Sequence, residues 1–149
     1  MSEILFYHLE RSTLIDVLPT LLERSLERGW RAAISCPDNT ELDALDTTLW
    51  TARDDSFLAH GLAGGKQDAE QPILLSTDEA ITNSPQILFL THGANAKAAE
   101  NFTRIVDLFD GNDAQAVDAA RSRFRAMRDA GHDVTYWRQS ESGKWEKAG

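Results

Sequence analysis

The sequence predicts an α/β domain with a mainly parallel sheet flanked by helices. Short apolar runs rich in β-formers recur at 4–9, 31–36, 72–76, 86–92, 104–109 and 133–137. Apolar residues at helical spacing fill several of the gaps between them, at 14–28, from 40 onward and at 114–130. Alternation of this kind signals a parallel sheet, because two parallel neighbours must be joined by a crossover that is usually a helix.

Each element has a local reason. ILFYHL, residues 4–9, reads as the first strand. LIDVLPTLLERSLER, residues 14–28, sets Leu14, Leu18, Leu21, Leu22 and Leu26 at helical spacing. Pro19 lies inside that pattern and predicts a later start or a kink, since proline lacks the N–H and crowds the preceding turn. Gly29 is a natural stop. RAAISC, residues 31–36, is small and apolar and reads as a buried strand. Pro37-Asp38-Asn39-Thr40 opens a second helix, with Asp38 or Thr40 as its cap and Leu42, Leu45, Leu49 and Trp50 on its apolar side.

Residues 52–71 read as a loop. PILLS at 72–76 and QILFLTH at 86–92 read as strands, with at most a turn of helix at 78–84 between them. Residues 94–103 are alanine-rich and at most briefly helical. RIVDLF at 104–109 is another strand; Gly111-Asn112-Asp113 turns the chain and caps a helix over 114–130, which Gly131 ends. DVTYW, residues 133–137, is the last strand. The domain is expected over 1–138. Residues 139–149 are expected to be a polar, frayed tail in which Trp145 is the residue able to dock.

Composition narrows the function classes. At 149 residues the chain is long enough to bury a core as one domain. No apolar run approaches the roughly 20 residues that span a bilayer, and MSEILFYHLE has acids where a signal peptide has bases. A single cysteine, Cys36, forms no internal disulfide, and the chain reads as cytoplasmic. Net charge is −9, unevenly placed. Residues 1–120 hold 8 Lys/Arg against 20 Asp/Glu, and residues 121–149 hold 7 against 4. Extended polyanions are disfavoured by the acidic body, because phosphate contact is largely electrostatic. A local basic patch can still capture a small anionic target.

Several stretches suggest chemistry and fall short of it. HGLAGGK, residues 60–66, resembles a phosphate loop, but His60 stands at the first glycine position and Gln67 replaces the hydroxyl. A nucleotide-utilising enzyme is therefore the weaker alternative, and a flexible glycine turn the plainer reading. The turn after the first strand, Glu10-Arg11-Ser12-Thr13, lacks a dinucleotide fingerprint. His8, His60, His92 and His132 show no metal-ligand spacing and read as surface or loop-packing residues. Asp54, Asp55, Ser56 and His60 have hydrolase-like types without a nucleophile elbow. Cys36 ends an apolar strand and reads as a buried structural thiol.

The late helix is more informative. At about 100° per residue, Arg125 and Arg128 fall about 40° and 340° from Arg121, one stripe about 60° wide. Phe124 and Val117 border that stripe. Ala116, Ala120 and Met127 face the core, and Arg123 points elsewhere. Guanidinium forks bind carboxylates bidentately, and an apolar wall beside them suits a hydrophobic residue carrying a free carboxyl terminus. A solvated helix face that neutralises the acidic body explains the same residues, and both readings stay open. A third is direct single-stranded DNA binding, with bases stacked on Phe124 and Trp137. Trp50, Phe57 and Leu58 surround a charged, loop-like segment and suit either a protein interface or the chain's own core.

Taken together, IxFYHL at 4–9, LDALDTTLW leading into DDSFLAHGLA, RIVDLFDG and ARSRFRAMRDAGHDVTYW resemble the chi subunit family of bacterial DNA polymerase III holoenzyme. The pieces spread over residues 4–138. The resemblance implies a non-enzymatic accessory protein with a Rossmann-like fold, no cofactor and no membrane contact. It implies a link between the clamp-loader complex and single-stranded DNA-binding protein, made by gripping that protein's acidic tail, which ends in proline and phenylalanine. Nucleic acid is then met only indirectly. The tail-binding residues carry onto Arg121, Phe124, Arg125 and Arg128, with Val117 where the family often has another basic residue. A partner interface with the psi subunit carries onto Trp50, Phe57 and Leu58.

Overall fold

In a computed structural model of the chain, residues 3–10, 14–51, 61–62, 73–76, 85–94, 102–139 and 144–148 are described. They form β1 (Glu3–Leu9), α1 (Leu14–Glu27), β2 (Ala32–Ser35), α2 (Asn39–Thr51), β3 (Gly61–Leu62), β4 (Ile73–Ser76), β5 (Ile87–Thr91), β6 (Arg104–Asp110), α3 (Ala114–Asp129), β7 (Asp133–Gln139) and β8 (Trp145–Lys147). The strands make one sheet in the order β3-β4-β2-β5-β6-β1-β7-β8. Every pairing is parallel except β7 with β8. This is the mainly parallel, Rossmann-like α/β architecture that the alternating pattern predicts.

Strands buried on both faces lose the period-2 polar alternation, which is why β2, β4 and β5 read as short continuous apolar runs. On one face, Leu18 and Leu22 of α1 and Leu42 and Leu45 of α2 pack over Ile34, Ile73, Leu75, Phe89 and Leu108. On the other face, Ala120 of α3 is fully buried, with Val117, Phe124 and Met127 packed beside it on Ile4, Phe6, Ile105 and Phe109. The alanine matters there, because a small side chain lets the helix backbone approach the sheet.

Helix ends follow their sequence signals. Glu41 N donates to Asp38 Oδ1 at 2.8 Å, which makes Asp38 the cap of α2. Asp113 caps α3, accepting from Gln115 N at 3.0 Å and Ala116 N at 3.4 Å. Gly29 and Gly131 follow α1 and α3 at φ 79° and 92°, where a side chain would be strained.

The structure departs from the sequence reading in three places. Of the two effects expected of Pro19, the later start does not occur: α1 runs from Leu14 to Glu27 with the proline inside it. One backbone bond is lost near the helix start, and full burial of Leu18 and Leu22 on either side outweighs it. Gly61–Leu62, expected within a loop, is a two-residue strand that pairs with Leu74 and Leu75 and covers the outer edge of β4. Residues 145–147, expected to fray, form β8: Gln139 pairs with Trp145 and Trp137 with Lys147. The Trp145 ring meets Tyr7 edge-on at 4.8 Å, so the docked indole anchors a strand that a polar sequence alone does not announce.

Candidate functional site

The helix α3 lies over β1, β6 and β7, with Ala120 against the sheet and its arginine edge above β7. Val134, Tyr136 and Arg138 share the α3 side of β7 by strand alternation, and Tyr136 and Arg138 pair with Phe6 and His8 of β1. Between helix and strand is a pocket of about 410 Å³ lined by Arg121, Phe124, Arg125, Arg128, Tyr136, Arg138 and Ala148. Four of the residues singled out on α3 thus meet at one opening. Val117 does not line it; its side chain packs with the core cluster around Ala120. Phe124 belongs to both regions. Its ring stands 5.5 Å from Phe6 and 6.0 Å from Tyr136, edge-on in each case, and also walls the pocket.

Arg123 is turned away from this opening, as its helical angle requires. It donates from Nε to Asp107 Oδ2 at 2.7 Å and from Nη2 to Oδ1 at 2.9 Å. Tyr136, Arg138 and Ala148 were not identified from sequence. The first two were legible in the alternation of DVTYWRQ, which puts them on the helix side of the strand and Trp137 on the other. Ala148 reaches the pocket only because β8 folds back on β7; its N–H donates to Tyr136 O at 2.7 Å. Trp137, a stacking platform in the DNA-binding reading, donates from Nε1 to Thr135 Oγ1 and does not line the pocket.

Behind the wall stands a polar group that corrects one reading. His8, expected at the surface or in a loop, is 4% exposed within β1. Its Nδ1 is 2.5 Å from the Tyr136 hydroxyl, and its Nε2 is 2.7 Å from Glu10 Oε1. The Nε2 contact is poorly aligned as a hydrogen bond. A ring nitrogen so close to a carboxylate oxygen must nonetheless carry the proton between them, because two lone pairs at that distance repel. Arg138 Nη2 donates to the same Glu10 oxygen at 2.5 Å. The Arg138 hydrogen bond holds the Glu10 carboxyl below its ordinary range. Burial lowers the His8 pKa against the pull of Glu10, and burial raises that of Tyr136.

A larger cleft of about 860 Å³ opens at the carboxyl ends of β1, β5 and β6, lined among others by Glu10, Glu41, His92, Asp110, Asp113 and Arg123. Open α/β sheets often bind ligands at that end. Here the charged groups answer one another: His92 Nε2 is 3.2 Å from Glu41, Asp113 caps α3, and Arg123 is held by Asp107. Among the described residues, no group of three or more His, Cys, Asp or Glu converges to hold a metal ion. Cys36 is fully buried with Sγ 3.0 Å from Thr91 Oγ1, and burial pushes its thiol pKa up. No described helix is long and apolar enough to cross a membrane. The Trp50 side chain, Phe57 and Leu58 lie outside the described residues, as do Asp54, Asp55, Ser56, His60 and the 63–66 part of HGLAGGK.

Comparison with known proteins agrees with the quoted stretches. A family model described as DNA polymerase III chi subunit, HolC, matches residues 1–135. The chain is 29% identical over 137 residues to DNA polymerase III subunit chi of Pseudomonas aeruginosa, which covers 90% of this chain and 94% of that protein. It is 30% identical over 142 residues to DNA polymerase III subunit chi of Escherichia coli K12, covering 90% and 96%. Spanning β1 through α3 with its arginine edge and reaching the start of β7, this likeness places the chain in the DNA polymerase III chi subunit family.

Proposed function

We propose that the protein is an accessory subunit of DNA polymerase III that captures the acidic C-terminal tail of single-stranded DNA-binding protein in the pocket between α3 and β7, and so links that protein to the clamp-loader complex. Family membership supports the replication role. The observation that carries the tail-binding role is the convergence of Arg121, Arg125, Arg128 and Arg138 around the rings of Phe124 and Tyr136.

The chemistry fits such a tail. Guanidinium groups take carboxylates through paired, charge-assisted bonds. The aromatic walls take a terminal phenylalanine ring, and 410 Å³ falls within the roughly 300–1,000 Å³ usual for small-ligand pockets. A disordered tail loses chain entropy on binding, so each contact is of modest affinity and several tails on one assembly add by avidity. The role assigned is that of a binding adaptor. A second contact, with a psi subunit through Trp50, Phe57 and Leu58, rests on the sequence resemblance alone.

Calorimetry with an acidic peptide ending in proline, phenylalanine and a free carboxylate tests the pocket. Arg125→Ala is expected to weaken binding by about 2 kcal/mol or more, as for truncation of a charge contact that the bound peptide covers from water. Equal affinity of Arg125→Ala and the parent overturns the assignment. A labelled oligonucleotide supplied without any binding protein separates direct DNA binding: micromolar affinity at physiological salt favours that reading instead.

A further inference from the structure

We propose that His8 and Glu10 are positioning residues for this pocket: from behind its wall they set the donor direction of Tyr136 and the place of Arg138, and they couple capture of a peptide carboxylate to uptake of a proton. The inference rests on the peptide-capture reading of the pocket and goes beyond it by naming what tunes the site.

Glu10 Oε1 lies 2.7 Å from His8 Nε2, which fixes the proton of the neutral ring there. Nδ1 is then an acceptor, and the hydroxyl 2.5 Å away must donate to it. With neutral His8, therefore, the Tyr136 hydrogen points into the protein. A carboxylate bound in the pocket against Tyr136 would then meet only the lone pairs of that oxygen, which repel it. When His8 takes a proton from solvent at Nδ1, both ring nitrogens donate. Nδ1–H then holds the Tyr136 oxygen, and the hydroxyl hydrogen is free to turn outward and bond the carboxylate. One proton enters, no bond of the chain is broken, and the pocket gains a donor.

Among the described residues, the groups facing His8 come from β1, β6, β7 and the turn before α3, where the Gly111 backbone also bonds the ring. Glu10 approaches from the end of β1, Tyr136 and Arg138 come from β7, and the Phe109 ring of β6 stands edge-on at 5.2 Å. Arg121 of α3 acts on Tyr136 from the pocket side. Gly111, in the turn before α3, leaves the room: a Cβ there would overlap the His8 ring and press on Glu10 Cγ. Burial keeps His8 below its ordinary pKa in the free protein, so the ring is mainly neutral near pH 7. A bound carboxylate favours the charged ring and raises that pKa. Affinity therefore grows as pH falls through the bound-state value, and levels off below the free-state value.

The test is calorimetry of the acidic, phenylalanine-ended peptide from pH 8 to 5.5, above the range where its own carboxyls titrate. The parent protein is expected to bind more tightly at the acid end, about tenfold for each unit by which the peptide raises the His8 pKa. Tyr136→Phe, which removes only the hydroxyl, should flatten the profile. His8→Gln should flatten it too, with thermal unfolding as the check that the strand is intact. Arg125→Ala should weaken binding throughout and keep the slope. Binding by the parent with the same affinity at every pH overturns the coupling and leaves the capture reading standing. So does a Tyr136→Phe protein that keeps the parent's slope. No binding at any pH removes the capture reading and this inference with it.

Discussion

Arg123 and Asp107 grip each other through two parallel hydrogen bonds, Nε to Oδ2 and Nη2 to Oδ1, beneath α3. Asp107 is 1% exposed in β6, with β5 on one side and β1 on the other. Burial pushes its carboxyl pKa up, and the guanidinium draws it back. The arginines of α3 thus divide by geometry. Arg123 ties the helix to the sheet, and the other three point to the pocket.

Removing one partner should separate stability from binding. Arg123→Ala leaves Asp107 buried and alone, and is expected to cost about 3–5 kcal/mol of stability. The denaturant midpoint should fall accordingly, and peptide affinity at low temperature, where the protein remains folded, should not. Replacing both residues by apolar ones of similar volume should cost less than the single change, since no unpaired charge then remains.

Salt should discriminate among the pocket arginines. The Arg128 side chain is 59% exposed and pairs at 3.5 Å with Asp129, which is itself exposed. Contacts at such a rim are screened, with a Debye length of about 3 Å at 1 M salt. Arg128→Ala is expected to weaken the peptide by about 1 kcal/mol at low ionic strength. Raising the salt should shrink that difference, as titrations repeated over a salt series will reveal.

Most of the fold was legible because its signals are local. The caps at Asp38 and Asp113, the stops at Gly29 and Gly131, and the apolar strands all act within a few residues. The arginine stripe was legible for the same reason, since helical spacing alone brings Arg121, Arg125 and Arg128 together. What escaped depends on distant partners. Glu10 and Tyr136 explain why His8 is buried, yet Tyr136 lies 128 positions from that histidine. Gly61–Leu62 is a strand only because β4 has an edge to cover, and β8 only because Trp145 finds Tyr7. No local window of sequence contains both halves of the His8–Tyr136 or Tyr7–Trp145 contact, and the Gly61–Leu62 pairing has too few residues to show a strand period.

The β8 strand makes its own prediction. Trp145→Ala removes an edge-on ring pair at 4.8 Å and the anchor of a three-residue strand. A pair of this kind contributes about 0.5–1.5 kcal/mol beyond its buried area. The variant should unfold at lower denaturant. It should also lose amide-exchange protection at Ala148, whose N–H bonds Tyr136 O. Because Ala148 lines the pocket, peptide binding should weaken as well. Unchanged exchange at Ala148 would show that Trp145 does not hold the strand.

Phe124 should show the two roles of one ring. It touches Phe6 and Tyr136 within the core layer and walls the pocket on its outer side. Full truncation of a core phenylalanine costs about 3–5 kcal/mol, and Phe124 is half-buried, so Phe124→Ala should cost about 2 kcal/mol of stability. Phe124→Leu restores most of the apolar volume without the flat face and should recover most of that loss. Peptide affinity should not recover with it, because a leucine fills the core side but offers no ring to stack against the terminal phenylalanine. Stability and affinity measured on the two variants therefore separate the roles. If leucine restores both together, the outer face of the ring contributes only bulk.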